Sequence, residues 1–113
     1  MDLALKGRGV RITDQIRKTT EHKLAKIARV DPRIRRLDVE IIGERNPRMG
    51  GSHRVEVTCR SGRHVFRAEG AGPGIEAALD QVVEHLERQV TSYRGKLRDR
   101  RQGGSSGRIQ PAD

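Results

Sequence analysis

Aromatic side chains are almost missing from this sequence: Phe66 and Tyr93 are the only two in 113 residues, and there is no tryptophan. The core must therefore be built from Val, Ile, Leu and Ala. Readers of single-stranded RNA stack bases on exposed rings, and this chain has almost none to offer. Cys59 is the only cysteine, which excludes an internal disulfide and any Cys-pair zinc site. No run approaches the roughly 18 consecutive apolar residues of a membrane span. The N-terminus lacks the charged region, apolar run and small-residue cleavage site of a secretory signal. The expectation is a cytoplasmic protein with no membrane partner.

Chemistry-bearing clusters are equally scarce. His22, His53, His64 and His85 show no ligand spacing. Cys59 shares a strand face with Val55 and Val57, so it reads as a buried, inert thiol rather than a nucleophile. Gly70, Gly72 and Gly74 superficially resemble a nucleotide loop, but the P-loop Lys-Ser/Thr is missing and Pro73 removes a backbone donor. They read as a joint leading into a helix. Glu76, Asp80 and Glu84 recur at i, i+4 and i+8, but Glu84 can pair with Arg88. No enzyme activity, cofactor, metal or small-molecule substrate is expected.

What is abundant is positive charge. There are 24 Lys and Arg against 15 Asp and Glu, a net charge of +9. Such an excess calls for a polyanionic partner, because each phosphate neutralised releases condensed counterions. Nineteen of the 24 cations are Arg, whose planar fork suits bidentate phosphate contact. A GC-rich genome would produce the same bias through codon usage.

The chain has room for one domain with a modest core. Residues 2–6 alternate Leu3 and Leu5 with polar neighbours, a short strand ended by Gly7 and Gly9. Thr13 sits where an N-cap belongs, with Asp14 in the first turn. Ile16, Thr20, Leu24 and Ile27 then mark a helix over 14–29, stopped by Asp31-Pro32. Leu37, Val39 and Ile41 alternate with charged residues in a strand over 34–42. A basic, Gly-rich loop follows, and Val55, Val57 and Cys59 line one face of a third strand. Ser61-Gly62 signals a turn, and a fourth strand spans 64–69. Ile75, Leu79, Val82, Leu86, Val90, Tyr93 and Leu97 mark a long helix over about 75–99. From 102 to 113 the chain reads as a flexible tail or linker. The order β-α-β-β-β-α implies an α/β (α+β) two-layer sandwich: a four-stranded sheet, read as antiparallel with one wet face, and two helices on the other.

Charge on the helices is uneven. On the first, Lys18, His22, Lys26 and Arg29 share an arc away from the apolar line, with Lys23 at its edge. On the second, residues 74–87 carry four carboxylates and no cation. Residues 88–101 carry Arg88, Arg94, Lys96, Arg98, Arg100 and Arg101 against Asp99 alone. The helix dipole accounts for one or two cations at a C-terminus, and six exceed it. A phosphate backbone would relieve their repulsion; a merely solvated basic helix end is the alternative. With few rings to stack on, recognition rests on phosphates and shape.

Ile12-Thr13, Ile16-Arg17, Lys23-Leu24-Ala25-Lys26-Ile27 and Leu86-Glu87-Arg88-Gln89-Val90 together resemble the ribosome hibernation-promoting factor family. That family is also called ribosome-associated inhibitor or protein Y, with the older label sigma-54 modulation protein. The resemblance covers about residues 2–101. It implies a fold similar to double-stranded RNA-binding domains, and binding to the small ribosomal subunit in the mRNA and tRNA channel. Occupying that channel inhibits translation and protects idle ribosomes in stationary phase or stress. It further implies rRNA contacts from Lys23, Lys26, Arg29, Arg88, Arg94, Lys96, Arg98, Arg100 and Arg101. A generic double-stranded RNA or nucleic-acid binder of the same architecture is the alternative. Many members begin the second helix with Asp-x-Tyr, where this chain has Gly74-Ile75-Glu76. Long members add a C-terminal domain that pairs ribosomes, so this chain reads as a monomer, either a short form or a long form cut at its linker.

Overall fold

The computed structural model describes residues 2–43 and 53–102, with side chains described as far as Lys96. The basic loop at 44–52 and the Gly/Ser-rich stretch from 103 lie outside the described residues. The elements are β1 (Asp2–Arg8), α1 (Asp14–Val30), β2 (Ile34–Gly43), β3 (His53–Ser61), β4 (His64–Gly72) and α2 (Ile75–Gln102).

Helix α1 begins where its cap chemistry dictates. The Thr13 hydroxyl accepts from the amide of Ile16 at 3.2 Å, and its carbonyl accepts from Arg17 N–H at 3.0 Å, satisfying orphan groups of the first turn. The helix ends at Asp31, in extended conformation before Pro32, with its N–H still bonded to the Ile27 carbonyl. Thr20, Leu24 and Ile27 are its buried residues. The Thr20 hydroxyl donates back to the Ile16 carbonyl at 2.8 Å, so its burial leaves no unmet polar group.

The strands lie in the order β1-β2-β3-β4. Strict alternation puts Leu37, Val39 and Ile41 of β2, Val55, Val57 and Cys59 of β3, and Phe66 and Ala68 of β4 on one buried face. Leu79, Val82, Leu86 and Val90 of α2 close over them beside α1. The opposite face carries charged rows tied by ion pairs, among them Arg8–Glu40 at 3.1 Å and Arg36–Asp38 at 2.9 Å.

Two features depart from the sequence reading. The sheet is mixed: β1 runs parallel to β2, while β2–β3 and β3–β4 are antiparallel. A parallel neighbour needs a crossover of a dozen or more residues, and α1 provides it. Second, β4 continues through Gly70 and Gly72 instead of ending at 69. A Cβ on Gly70 would stand 2.4 Å from the Ala78 carbonyl oxygen and 3.0 Å from Val82 N. These glycines let α2 lie close on the strand; they are not a joint.

The free edge of β4 is sealed by side chains from α2. Gln89 donates to the Arg67 carbonyl at 2.8 Å, the His85 ring lies 3.0 Å from the Glu69 carbonyl, and Gln81 accepts from Ala71 N–H at 2.8 Å. Residues spaced by four stack on one helix face, so one line of α2 satisfies the outward groups of a strand that would otherwise be a pairing template.

Candidate nucleic-acid interface

The helices lie side by side in the same direction. Residues 23, 26 and 30 of α1 meet residues 80, 87 and 94 of α2 in order. Between them runs a groove of about 970 Å³ lined by Lys18, His22, Lys23, Lys26 and Arg29 on one wall and Glu76, Asp80, Glu84 and Glu87 on the other. The arc of α1 that the sequence singles out thus faces the acidic half of α2.

Within the groove the charges pair. Lys23 Nζ lies 2.7 Å from Asp80 and Lys26 Nζ lies 3.8 Å from Glu87. The hydrogen bond that Lys23 donates to Asp80 raises its pKa, holding the ammonium charged. Arg88 pairs with Glu84 at 3.0 Å, one turn away on α2, as the spacing suggests. Of the four α1 cations that line the groove, Lys23 and Lys26 are paired with carboxylates of α2, while Lys18 and Arg29 have no ion-pair partner among the described residues. Surface pairs of this kind are worth about 0–1 kcal/mol, weak enough to be exchanged for phosphate.

The excess charge sits further along, where both helices run toward their C-termini. Arg94 lies against α1, its guanidinium donating to the Val30 carbonyl. That carbonyl is one of the unsatisfied groups at the end of α1, so Arg94 acts as a cap supplied from the neighbouring helix. Arg29 and Lys96 are exposed and have no ion-pair partner among the described residues. Arg98, Arg100 and Arg101 follow along the backbone of α2, which runs about 12 Å past Arg94. Their side chains lie outside the described residues. The structure thus gathers Arg29, Arg94 and Lys96 at one end, and commits Lys23, Lys26 and Arg88 to carboxylates.

This end is built on a buried charge that the sequence reading passed over. Asp31, read only as part of a helix stop, is fully buried. Its carboxylate accepts from the Ser61 hydroxyl at 2.5 Å, from Arg33 N–H at 3.0 Å and from Arg33 Nε at 3.4 Å. Burial alone would raise its pKa, but the bonds from Ser61 and Arg33 outweigh it and hold the group below the ordinary value of 3.8. Cys59 is fully buried, and burial, reinforced by the Asp31 charge, pushes its thiol up to about 11. Tyr93 packs partly buried on the core, edge-on to Phe66 and stacked with His64 at 4.1 Å. It is not available as a platform for bases. Asp80 and Glu84 are occupied by Lys23 and Arg88.

The family model for sigma 54 modulation protein / S30EA ribosomal protein matches residues 3–98. The chain belongs to this family. It is similar to the ribosome hibernation promotion factor of Mycobacterium tuberculosis, at 40% identity over 98 residues, covering 86% of this chain and 44% of that protein. It is also similar to the ribosome hibernation promoting factor of Escherichia coli K12, at 28% identity, covering 87% of this chain and 98% of that one. Among solved structures it resembles the N-terminal domain of Thermus thermophilus Protein Y, with a TM-score of 0.72 and 29% identity over 82% of this chain and 99% of that domain. The chain thus spans less than half the length of its Mycobacterium relative and nearly all of the Escherichia one. The family is the one the resemblance named, and the element order β-α-β-β-β-α agrees with the sequence reading, apart from the parallel pairing of β1 with β2. No helix among the described residues is long and apolar enough to cross a membrane.

The line Gln81, His85 and Gln89 and the cap from Arg94 escaped the sequence reading. The i, i+4, i+8 spacing of the first was available, but only a strand edge beside it gives it meaning.

Proposed function

We propose that this chain is a ribosome-binding domain that acts without catalysis, occupying the mRNA and tRNA channel of the small subunit in the cytoplasm. There it blocks translation and protects idle ribosomes. The observation that carries this is the unpaired positive charge at the shared C-terminal end of two parallel helices, in a chain whose relatives are named hibernation factors. Arg29, Arg94 and Lys96, continued by Arg98, Arg100 and Arg101, meet rRNA phosphates first. Lys23, Lys26 and Arg88 join by exchanging their carboxylates for phosphate. Phosphate contacts fix position and steric exclusion supplies the effect.

The test is co-sedimentation with purified small subunits. With six to ten phosphates engaged, affinity falls by about 10³–10⁵ between 50 and 200 mM salt. Replacing Arg29, Arg88 and Lys96 together by Glu abolishes sedimentation while leaving the melting curve intact. Unchanged sedimentation rejects the site. Excess duplex RNA leaves the complex standing; release by a modest excess would mark a generic duplex binder instead.

A further inference from the structure

The excess charge does not stop at the helices. Two turns meet at the same end: the α1–β2 turn at Asp31–Arg33 and the β3–β4 turn at Ser61–Arg63. The buried Asp31–Ser61 hydrogen bond joins them. So does the bond from Gly62 N–H to the Arg33 carbonyl at 3.3 Å. Gly62, at φ +59, allows the tight turn that brings its amide there.

On this scaffold sit three guanidinium groups. Arg33 is anchored to the Asp31 carboxylate at 3.4 Å yet is half exposed. Arg35 occupies an irregularity in β2, where the pairing shifts from Ile34↔Ser61 to Arg36↔Arg60. An inserted residue of that kind re-aims its side chain, and the Arg35 guanidinium donates to the Gly62 carbonyl at 3.2 Å. Arg63, at the tip, is exposed and has no partner among the described residues. Arg29 stands four residues before Arg33, in the last turn of α1. The only carboxylate in this assembly, Asp31, is buried and already satisfied.

We infer that the paired turns form a second RNA-backbone site, in which Arg33, Arg35 and Arg63 grip phosphates of an rRNA segment that passes round the end of the molecule. The inference rests on the RNA-binding reading above and extends it to residues on no helix. Arginine forks held by Asp31 and Gly62 lose little freedom on meeting a phosphate, so the ordering cost of binding is small. The ligand is RNA and not an anionic membrane, because membrane docking pairs cations with apolar side chains that enter the lipid. The one large hydrophobic exposed among the described residues is Val65, at 36%.

The experiment titrates binding of the whole chain to purified small subunits against KCl, with vesicles of anionic phospholipid as a second probe. Arg35→Gln with Arg63→Gln lowers affinity about tenfold at moderate salt and flattens the log–log salt dependence by about two contacts. Arg63→Gln alone gives about half the change in slope, and Arg63→Lys restores most of it. Because Arg63 bonds nothing described, its single substitution leaves the melting curve in place and the result interpretable. Wild-type affinity and slope in Arg63→Gln and in a folded double variant overturn the inference. If Arg88→Gln with Lys96→Gln still weakens binding in that case, the RNA-binding reading stands without it. Failure of the wild-type chain to bind subunits removes both. Loss of vesicle binding with subunit binding unchanged would assign the turns to a membrane and overturn the RNA site.

Discussion

The guanidinium of Arg94 donates to the main-chain carbonyl of Val30, binding the second helix to the last turn of the first. One of the cations attributed to RNA is therefore also a tie between elements of the free protein. A loss of ribosome binding on its removal has two physical sources, and they can be separated.

Arg94→Gln is expected to lower stability by about 1 kcal/mol, the typical net worth of such a bond. Lys96→Gln, two residues on and unpaired among the described residues, should leave the melting temperature unchanged while weakening binding. Thermal melts and subunit sedimentation on both variants check this. Equal melting temperatures would show that the Arg94 bond contributes nothing in solution.

Asp31 sets an acid limit on the fold. Its folded pKa lies below the ordinary value of 3.8, so the carboxylate contributes stability that is fully present above that value. The contribution is lost as pH falls through the lowered folded pKa. Asp31→Asn should cost about 2 kcal/mol at pH 7, in the range for hydrogen bonds to a charged group. The gap from wild type should narrow below about pH 4. Urea unfolding at pH 7 and pH 3 measures it, and an undiminished gap at pH 3 contradicts the assignment.

Gly70 should not tolerate a side chain. A Cβ there meets the backbone of α2 at 2.4 Å, which must shift for it to fit. Gly70→Ala is expected to cost about 1–3 kcal/mol, the usual penalty for overpacking, and Gly70→Val more. Gly74→Ala is the control, since its Cβ would meet nothing within 4 Å. Denaturant midpoints for the two variants should differ clearly.

The Cys59 thiol, pushed up to about 11 in a fully buried site, carries almost no thiolate at pH 8. Iodoacetamide should leave the folded chain unmodified over hours and label it promptly in denaturant. Rapid labelling of the native protein would place the sulfur at the surface.

Much of this architecture could be read from residue order. Thr13, the alternation Leu37, Val39, Ile41, and the seven-point stripe of α2 each carry a local signal that tertiary packing did not override. The direction of β1 could not be read that way, because alternation has the same period in parallel and antiparallel strands. Gly70 was misread because a close helix contact and a flexible joint both call for glycine. Helical spacing identified the basic arc of α1. It could not reveal that Asp80 and Glu87 of another element face it, nor that Arg33, Arg35 and Arg63 share a scaffold. Those are relationships between segments far apart in the chain.

With Gln81, His85 and Gln89 laid along β4, the sheet keeps one lateral border, β1, that no described residue covers. A sheet with a single open border can add one more sheet and then has no place left to grow. Association by strand pairing through that border would end at two molecules rather than propagate into a fibre.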